Sequence, residues 1–401
     1  MIGPLIALAL QNGPVFPQFF PNPTGRNGAE EYVRAVDIVN APEYAPYAAW
    51  SAEGGALEVP TIGISSRRAG ATVAPRAPGS AGVGYLTLCE QSVGKFGYAL
   101  SLIKAGNGKA VMQSVDFATL SVPLSNLTNL GLRAAHLRFA QAKPGEAVGY
   151  LLDQVTFLDN LQRSDTGGRP STAGEGAVIQ AFAQHIDGLG LGDCRQVSAF
   201  AKSFLARPPA LRTTYVLRKL VWRKTIADYV ARAKAGSTTD SIGAMVAKLS
   251  PQEKERVLSD AYGVVESAVG QALRTLDGPE SAWALPVIEE PDPPTSIDAL
   301  PKAIAMYAHP LAFANLRYDL AFRTRLRILD LTAQCRTYWY ENGRYPKTFT
   351  ELRNAKIIDP LSGKEFTYHH DKGTILISSA GSAASGEIFL DPNQSSSARP
   401  N

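Results

Sequence analysis

Residues 316–346, LRYDLAFRTRLRILDLTAQCRTYWYENGRYP, decide the fold. Apolar residues such as Leu316, Leu320 and Leu329 recur at spacings of three and four, which predicts one long helix. The Asn342-Gly343 pair predicts its end, because both residues tolerate the left-handed conformation of a helix C-cap. The arginines of this helix are expected to point away from its apolar positions: Arg317, Arg323, Arg325, Arg327 and Arg336.

A small sheet is predicted directly downstream of this helix. Residues 358–364, IDPLSGK, have the composition of a turn. Apolar and polar residues alternate at 365–370 and at 374–378, and the Asp-Lys-Gly sequence between them predicts a β-hairpin. A last apolar piece lies at 388–390. The order of elements therefore predicts a small α+β module at the end of the chain.

This order, with NGRYP at 342–346, DP at 359–360 and GK at 363–364, resembles the globular part of the type II secretion pseudopilins, especially the major pseudopilin. The resemblance implies a long helix over an antiparallel sheet. In that family an N-terminal hydrophobic helix polymerises the subunit. Here the helix at 316–341 carries five arginines and cannot span a bilayer, so a filament subunit is disfavoured.

Calcium is the cofactor that the resemblance raises, because the family binds it in the last loop through acidic side chains and carbonyls. The matching loop here is residues 379–386, SAGSAASG, which contains no carboxylate. Calcium prefers six to eight oxygen ligands with several charges among them. Glu387 and Asp391 alone would make a poor cage. Calcium binding therefore stays an open alternative that the sequence does not predict, and no other cofactor is predicted.

Upstream of the module the chain consists of helical runs between short breaks. These runs are residues 89–104, 117–141, 145–161, 174–189, 194–205, 211–235, 241–249 and 251–276. The predicted fold class is mainly α with a small α+β C-terminal domain, a helical hairpin bundle followed by a long helix plus antiparallel sheet. The predicted organisation is an extended or signal-like segment 1–26, a mainly helical region 27–277, a Pro-rich linker 278–301, the pseudopilin-like module 302–391 and a disordered tail 392–401.

Composition and the N-terminus limit the function classes. The 401 residues are 45% hydrophobic and 19% charged, as in a globular chain, and the net charge of +4 is too small to predict a nucleic-acid partner. The apolar run Met1–Leu10 precedes a proline-rich stretch, residues 11–25. We interpret the run as part of a signal sequence of an exported, periplasmic or envelope-associated protein. The alternative is a hydrophobic N-terminus of a cytoplasmic protein.

No catalytic or metal-binding sequence motif surrounds the cysteines and histidines considered next. Cys89, Cys194 and Cys335 form no CxxC pair, so buried free thiols are expected, with one long-range disulfide as the alternative. His136 is expected to pack against apolar neighbours, and His185 lies near Asp187 in the sequence. No nucleophile motif accompanies either histidine. The adjacent residues 369 and 370, both His, are expected on opposite faces of an exposed strand. No catalytic, cofactor-binding or metal-binding residue is predicted.

The most basic helix, residues 207–234, supplies the candidate interaction surface. A basic amphipathic helix can lie on an anionic membrane surface or bind an acidic partner. The alternative is a helix docked on the bundle with a solvated basic face. The residues of this candidate surface are Arg218, Lys219, Trp222, Arg223 and Lys224.

The expected function is that of a non-catalytic exported or envelope-associated interaction or scaffold protein with a protein partner. One alternative is an accessory component of a type II secretion or type IV pilus-like system, which an exposed apolar patch on the long helix would favour. The other is an enzyme whose site is assembled from distant residues. A pocket that gathers His136 and His185 would favour that alternative.

Overall fold

The structure, a computed structural model, describes residues 28–48, 81–109, 121–163, 172–234, 241–278, 296–308, 312–353, 355–371, 374–379 and 389–390. In this part of the chain most residues are helical, and a small antiparallel sheet lies near the C-terminus. The predicted fold class is therefore confirmed. The predicted N-terminal segment 1–26, most of the Pro-rich linker and the tail 392–401 lie outside the described residues.

The described helices match the predicted runs, with ends shifted by a few residues at most positions. Two of the described helices, Ala45–Ala48 and Leu300–Ala308, were not predicted, and the second begins where the linker was expected to end. Its second residue is Pro301, and proline is well tolerated in the first turn of a helix. The α-helices are α1 Ala29–Asn40, α2 Ala45–Ala48, α3 Ala81–Asn107, α4 Ser121–Ala140, α5 Pro144–Gln162, α6 Thr172–His185, α7 Leu191–Leu205, α8 Ala210–Lys234, α9 Ser241–Ala247, α10 Pro251–Asp277, α11 Leu300–Ala308 and α12 Ala312–Asn342.

The described chain divides into two compact units. One comprises the described residues of 209–319, and the other those of 28–208 together with 320–390. These limits differ from the predicted domains, in which a linker at 278–301 separated the helical region from the C-terminal module. The difference has a physical reason, since α11 packs on α8 and α10, whereas the residues after 320 share an apolar core with helices before 208.

The unit of residues 209–319 is built from α8 to α11 and the start of α12. Its longest described helix, α10, begins with a capping box in which Ser250 and Glu253 each bond the other's backbone N–H. One face of α10 is buried, with Val257, Val265 and Leu276 along it. This spacing is the one expected of an amphipathic helix packed on its neighbours.

The other unit contains the largest apolar core, to which α1 and α3 to α7 contribute. Helices α4 and α5 form the predicted helical hairpin, joined by a short connection that ends at Pro144. Tyr32 on α1 is fully buried, and its ring meets Phe157 on α5 edge to face, with the centroids 4.8 Å apart. The first helix is thereby fixed to the hairpin.

Helix α12 is buried on every side over much of its length, from Leu320 to Arg336. The expectation that its arginines point away from the packed face was wrong for three of them: Arg323, Arg327 and Arg336 are only 3%, 6% and 8% exposed. The side chains of residues 312–319 lie outside the description. Packing on both sides of the helix explains the burial, and its polar groups are therefore bonded to neighbouring elements.

On one side, α12 packs against α7. The Arg323 guanidinium donates to the carbonyl oxygen of Leu205 at 2.6 Å, where the last turn of α7 leaves carbonyls without helical partners. Ser198 on α7 donates from its hydroxyl to the carboxylate of Asp330, also at 2.6 Å. Phe204 and Phe322 meet edge to face. Polar and apolar contacts thus fix α7 to this side of α12.

On its other side, α12 meets the predicted hairpin. Strand β1, Thr367–Asp371, pairs antiparallel with β2, Thr374–Ser378, and β2 pairs with β3, Phe389–Leu390. On β2, Ile375 and Ile377 share one face, are fully buried and belong to the same apolar core as residues of α12. The hairpin of the sequence analysis is confirmed, with the two residues of its turn, 372–373, outside the described part.

A buried carboxylate organises the turn that leads into the hairpin. Asp359 is fully buried, and its side chain accepts hydrogen bonds from the Leu361 backbone and from the hydroxyls of Ser362 and Ser379, at 2.7–2.9 Å. Gly363 closes the turn at φ +68°, a conformation that side chains disfavour. The Asp-Pro-x-Ser-Gly sequence therefore folds as a self-bonded turn.

We predict that replacing Gly343 with Val destabilises the unit that contains it by about 1–2 kcal/mol. Gly343 follows the end of α12 at φ +69°, and its N–H donates to the carbonyl of Trp339 at 2.8 Å. A β-branched residue resists this conformation. Urea unfolding of the full chain measures the loss.

The matched control is Gly149→Ala on α5, in the same compact unit. A methyl group at this position meets no atom within 4 Å, so alanine should leave stability unchanged or raise it by up to about 1 kcal/mol. Equal stability of the Gly343→Val protein and the wild type would contradict the assigned end of α12.

Candidate functional site

Of the five predicted interaction residues of α8, the structure describes the side chains of three, Trp222, Arg223 and Lys224. Trp222 is 6% exposed and packs in its unit, so it does not belong to an exposed surface. The Arg223 guanidinium lies 3.5 Å from the Glu266 carboxylate and 4.9 Å from the ring centre of Tyr262, both on α10.

Lys224 pairs within α8 with Asp228 at 2.8 Å. The side chains of Arg218 and Lys219 lie outside the description. The charges of Arg223 and Lys224 are thus matched by nearby acids, which weakens the case for α8 as a basic surface.

The two histidines of the sequence analysis do meet. His136 on α4 and His185 at the end of α6 have ring centres 5.7 Å apart. His185 stacks on Phe139 of α4 with the ring centres 3.9 Å apart, and Nδ1 of His136 shares a hydrogen bond of 2.9 Å with the Tyr85 hydroxyl of α3. Three helices therefore meet at this pair, through ring contacts and one hydrogen bond.

Further polar side chains extend this contact, and we refer to Tyr85, Cys89, Arg133, His136 and His185 as the buried polar cluster. Within it Cys89 and Arg133 are buried, and the other three side chains are partly buried. Arg133 precedes His136 by one turn of α4 and is 3% exposed, and Cys89 follows Tyr85 by one turn of α3 and is fully buried. The Arg133 charge acts on both Tyr85 and Cys89, where it opposes the burial that raises their pKa values. The cluster joins α3, α4 and α6 around one fixed positive charge.

Burial decides the protonation of the cluster. It lowers the pKa of His136 and of His185 to about 4, with the charge of the other ring adding to the effect at His185. Both imidazoles are neutral at pH 7 as a result. Burial also raises the pKa of the Cys89 thiol, which keeps it protonated and weakly nucleophilic.

All three cysteines are free and buried, as the sequence analysis expected. Burial raises the pKa of Cys194 to about 11 and that of Cys335 to about 12. A protonated thiol is a poor nucleophile and a poor metal ligand. The described cysteines are therefore packing residues.

A second feature, which the sequence analysis missed, lies at the exposed end of α12. Trp339 and Tyr340 are 37% and 40% exposed, and their rings meet edge to face with the centres 5.0 Å apart. The guanidinium of Arg336 lies 5.3 Å and 5.5 Å from the two ring centres. We refer to Arg336, Trp339 and Tyr340 as the aromatic patch.

Neighbouring elements hold the aromatic patch in place. The Tyr340 hydroxyl donates to the carbonyl of Leu189 at 2.9 Å, and Arg336 donates to the Tyr345 hydroxyl at 3.0 Å. The ring of Tyr345 lies near Trp339 on one side and near His370 of β1 on the other. The signal that could have found this patch is the Trp-Tyr pair at the point where the helix leaves the core.

The strand histidines lie as predicted. His369 and His370 are both exposed, and adjacent residues of a strand point to opposite faces. Within the described residues no group of three His, Cys, Asp or Glu side chains could hold a metal ion. Residues 380–386 of the loop that matches the family's calcium site lie outside that part of the chain.

Comparison of the chain with protein-family models, with curated proteins and with solved structures finds no match. In the helices that the structure describes, no segment is both long enough and apolar enough to cross a membrane.

We predict that acid destabilises the folded chain through His136 and His185. Each has an ordinary pKa of 6.5 and a folded pKa of about 4. Above pH 6.5 the two imidazoles are unprotonated in both the folded and the unfolded chain. Between pH 6.5 and 4 they are protonated in the unfolded chain but not in the folded chain. Stability therefore falls as pH falls through this window, by up to about 1.4 kcal/mol per pH unit for each histidine.

Urea unfolding at several pH values measures this loss. The His185→Phe protein keeps an aromatic ring against Phe139 and should show a shallower pH dependence. The His369→Gln protein, which changes an exposed side chain, should follow the wild-type curve. Identical slopes for the wild type and His185→Phe would contradict the prediction.

Proposed function

We propose that this protein is a non-catalytic, exported or envelope-associated interaction or scaffold protein that binds a protein partner through the aromatic patch. The observation that carries the proposal is the exposure of Trp339 and Tyr340, side by side, at the end of an otherwise buried helix. Tryptophan, tyrosine and arginine are the residues most enriched among those that dominate binding energy in protein interfaces. Trp339 and Tyr340 present two of these types to a partner, and the buried Arg336 holds their rings in place.

The rigidity of the patch supports binding. Arg336 stacks on both rings, and the Tyr340 hydroxyl is bonded to the backbone at Leu189. Side chains that are already ordered lose little conformational entropy when a partner covers them. More of the energy gained by burying the rings is then available for affinity.

The polar surroundings suit a protein partner as well. Ion pairs flank the patch, between Arg195 and Glu341 and between Arg344 and Glu351, each at 2.8 Å. Interfaces commonly have an aromatic centre and a polar rim. The expected partner therefore offers an apolar anchor for the two rings and hydrogen-bonding groups around it.

An accessory role in a type II secretion or type IV pilus-like system is the more specific form of the proposal. It is supported by the position of the patch on the long helix of the module that resembles pseudopilins. Under this form the partner is a filament subunit or a neighbour of one. The apolar N-terminal run supports the export that this role requires.

The contact between His136 and His185 bears on the alternative that the protein is an enzyme. Neutral imidazoles can accept protons from a substrate. A substrate would have to reach rings that are packed among α3, α4 and α6, however, and the stacking on Phe139 serves packing. We therefore favour the interaction role.

We predict that a photo-crosslinking amino acid at position 339 captures one defined envelope protein in cells that produce the full chain. The matched control carries the same amino acid at position 98, where Tyr98 is 60% exposed on α3 of the same unit. Mass spectrometry identifies the products, and cell fractionation locates the chain. Identical products at the two positions, or no product at position 339, would contradict the proposal.

Once the partner is known, Trp339→Ala should weaken its binding at least tenfold, as is usual for a central interface tryptophan. Tyr98→Ala should leave the affinity unchanged. An unaltered melting temperature of the Trp339→Ala protein separates lost contact from lost folding. A pilin-like partner supports the accessory role, and a partner outside such systems supports the general scaffold role.

A further inference from the structure

The strongest unexplained feature of the described chain is the Arg133 guanidinium in the buried polar cluster. Arg133 is 3% exposed, and its Nη2 donates to the carbonyl oxygen of Tyr47, on α2, at 2.8 Å. Its Nε and Nη1 are also buried and find no hydrogen-bond partner among the residues that the structure describes. The Tyr44 hydroxyl is a neutral neighbour of this guanidinium, whose charge opposes the burial that raises the pKa of Tyr44. Within the described part of the chain, two of the three nitrogens of Arg133 are thus left without an acceptor.

The charge of Arg133 is likewise unmatched. A guanidinium does not lose its proton in a protein, so burial cannot neutralise it. In the described part of the chain none of the ion pairs includes Arg133. An unpaired charge in a protein interior is strongly unfavourable. A bound counter-ion would remove this cost most simply.

Two other arginines of the same unit, the buried Arg323 and the partly buried Arg325, have acceptors or an acid close by. Arg323 donates to backbone carbonyls at the end of α7. Arg325 lies close enough to the buried carboxylate of Glu175 for that charge to raise the arginine's pKa against the effect of burial. Arg133 differs from both in having two buried nitrogens without a hydrogen-bond partner among the described residues.

The neighbours of Arg133 in the buried polar cluster are neutral hydrogen-bonding groups. Nε2 of His136 is buried and finds no partner among the described residues, and Nδ1 of the same ring bonds the Tyr85 hydroxyl. When that hydroxyl donates to Nδ1, the imidazole proton lies on Nε2 and can be donated to an acceptor. The cluster therefore holds one fixed positive charge and a further N–H donor close to it.

We propose that Arg133 binds a small monovalent carboxylate of about the size of acetate, with His136 beside it in the buried polar cluster. One carboxylate neutralises the one guanidinium and accepts its free N–H groups. A divalent anion would leave an excess negative charge in the interior, because the two histidines of the cluster are neutral. The burial of Arg133 restricts the site to small groups.

The alternative is that ordered water alone satisfies the free nitrogens of Arg133. Water would fill their hydrogen bonds but would not neutralise the charge. The two cases differ in their response to anions. If an anion binds, the stability of the folded chain depends on the concentration of that anion at constant ionic strength. If water alone fills the site, it does not.

The test is the melting temperature of the full chain at pH 7.5 as sodium gluconate, whose anion is larger, is replaced by sodium acetate at constant ionic strength. We expect a rise of about 2 °C for each tenfold increase in acetate above the dissociation constant. The Arg133→Met protein should lose this rise, and in gluconate it should be at least as stable as the wild type, because the unmatched charge is gone. Arg223→Met, which changes an exposed arginine, should keep the rise.

Equal melting temperatures of the wild type in acetate and gluconate would overturn the proposal and leave water as the partner of Arg133. A rise that survives in Arg133→Met would also overturn it. Should that variant fail to fold, the linewidth of ¹³C-labelled acetate in the presence of the wild-type chain gives the answer directly. If the resonance broadens and an excess of unlabelled acetate reverses the broadening, the result supports the site. A resonance that does not broaden overturns it.

Discussion

The burial of α12 from Leu320 to Arg336 is the constraint on which the rest of the structure depends. A helix covered on all sides must have its polar side chains satisfied by neighbouring elements, since water cannot reach them. Arg323 donates to a carbonyl at the end of α7, and Arg336 donates to the Tyr345 hydroxyl. Asp330 accepts a hydrogen bond from the Ser198 hydroxyl. Hydrogen bonds are directional, so these contacts fix where α7 and the turn after α12 lie, in addition to the apolar packing.

The sequence predicted most of the helices and strands but not how they group into compact units. Helical periodicity predicted the runs that became α3 to α10, and the Asn342-Gly343 pair predicted the end of α12. Periodicity records which face of a helix is apolar, but it does not record that a second element covers the opposite face. The burial of Arg323 and Arg327 and the grouping of residues after 320 with those before 208 depend on that long-range packing.

The candidate sites show the same division between local and long-range information. His136 and His185 were recognised as chemistry-bearing residues, yet their meeting depends on how α4 and α6 pack. Trp222 was assigned to a surface because its helix is basic, although its own side chain is apolar and is buried. Trp339 and Tyr340 follow directly on the buried part of α12, and their exposure depends on where the covering elements end.

The division of one compact unit between two distant stretches of the chain affects the order in which it can form. Its core joins helices before residue 208 to apolar residues after 320, and the intervening stretch belongs to the other unit. While the chain is being made, the early helices expose the apolar surface that α12 and β2 later cover. A chaperone that shields those helices would be needed longest for this unit, until its closing helix has emerged.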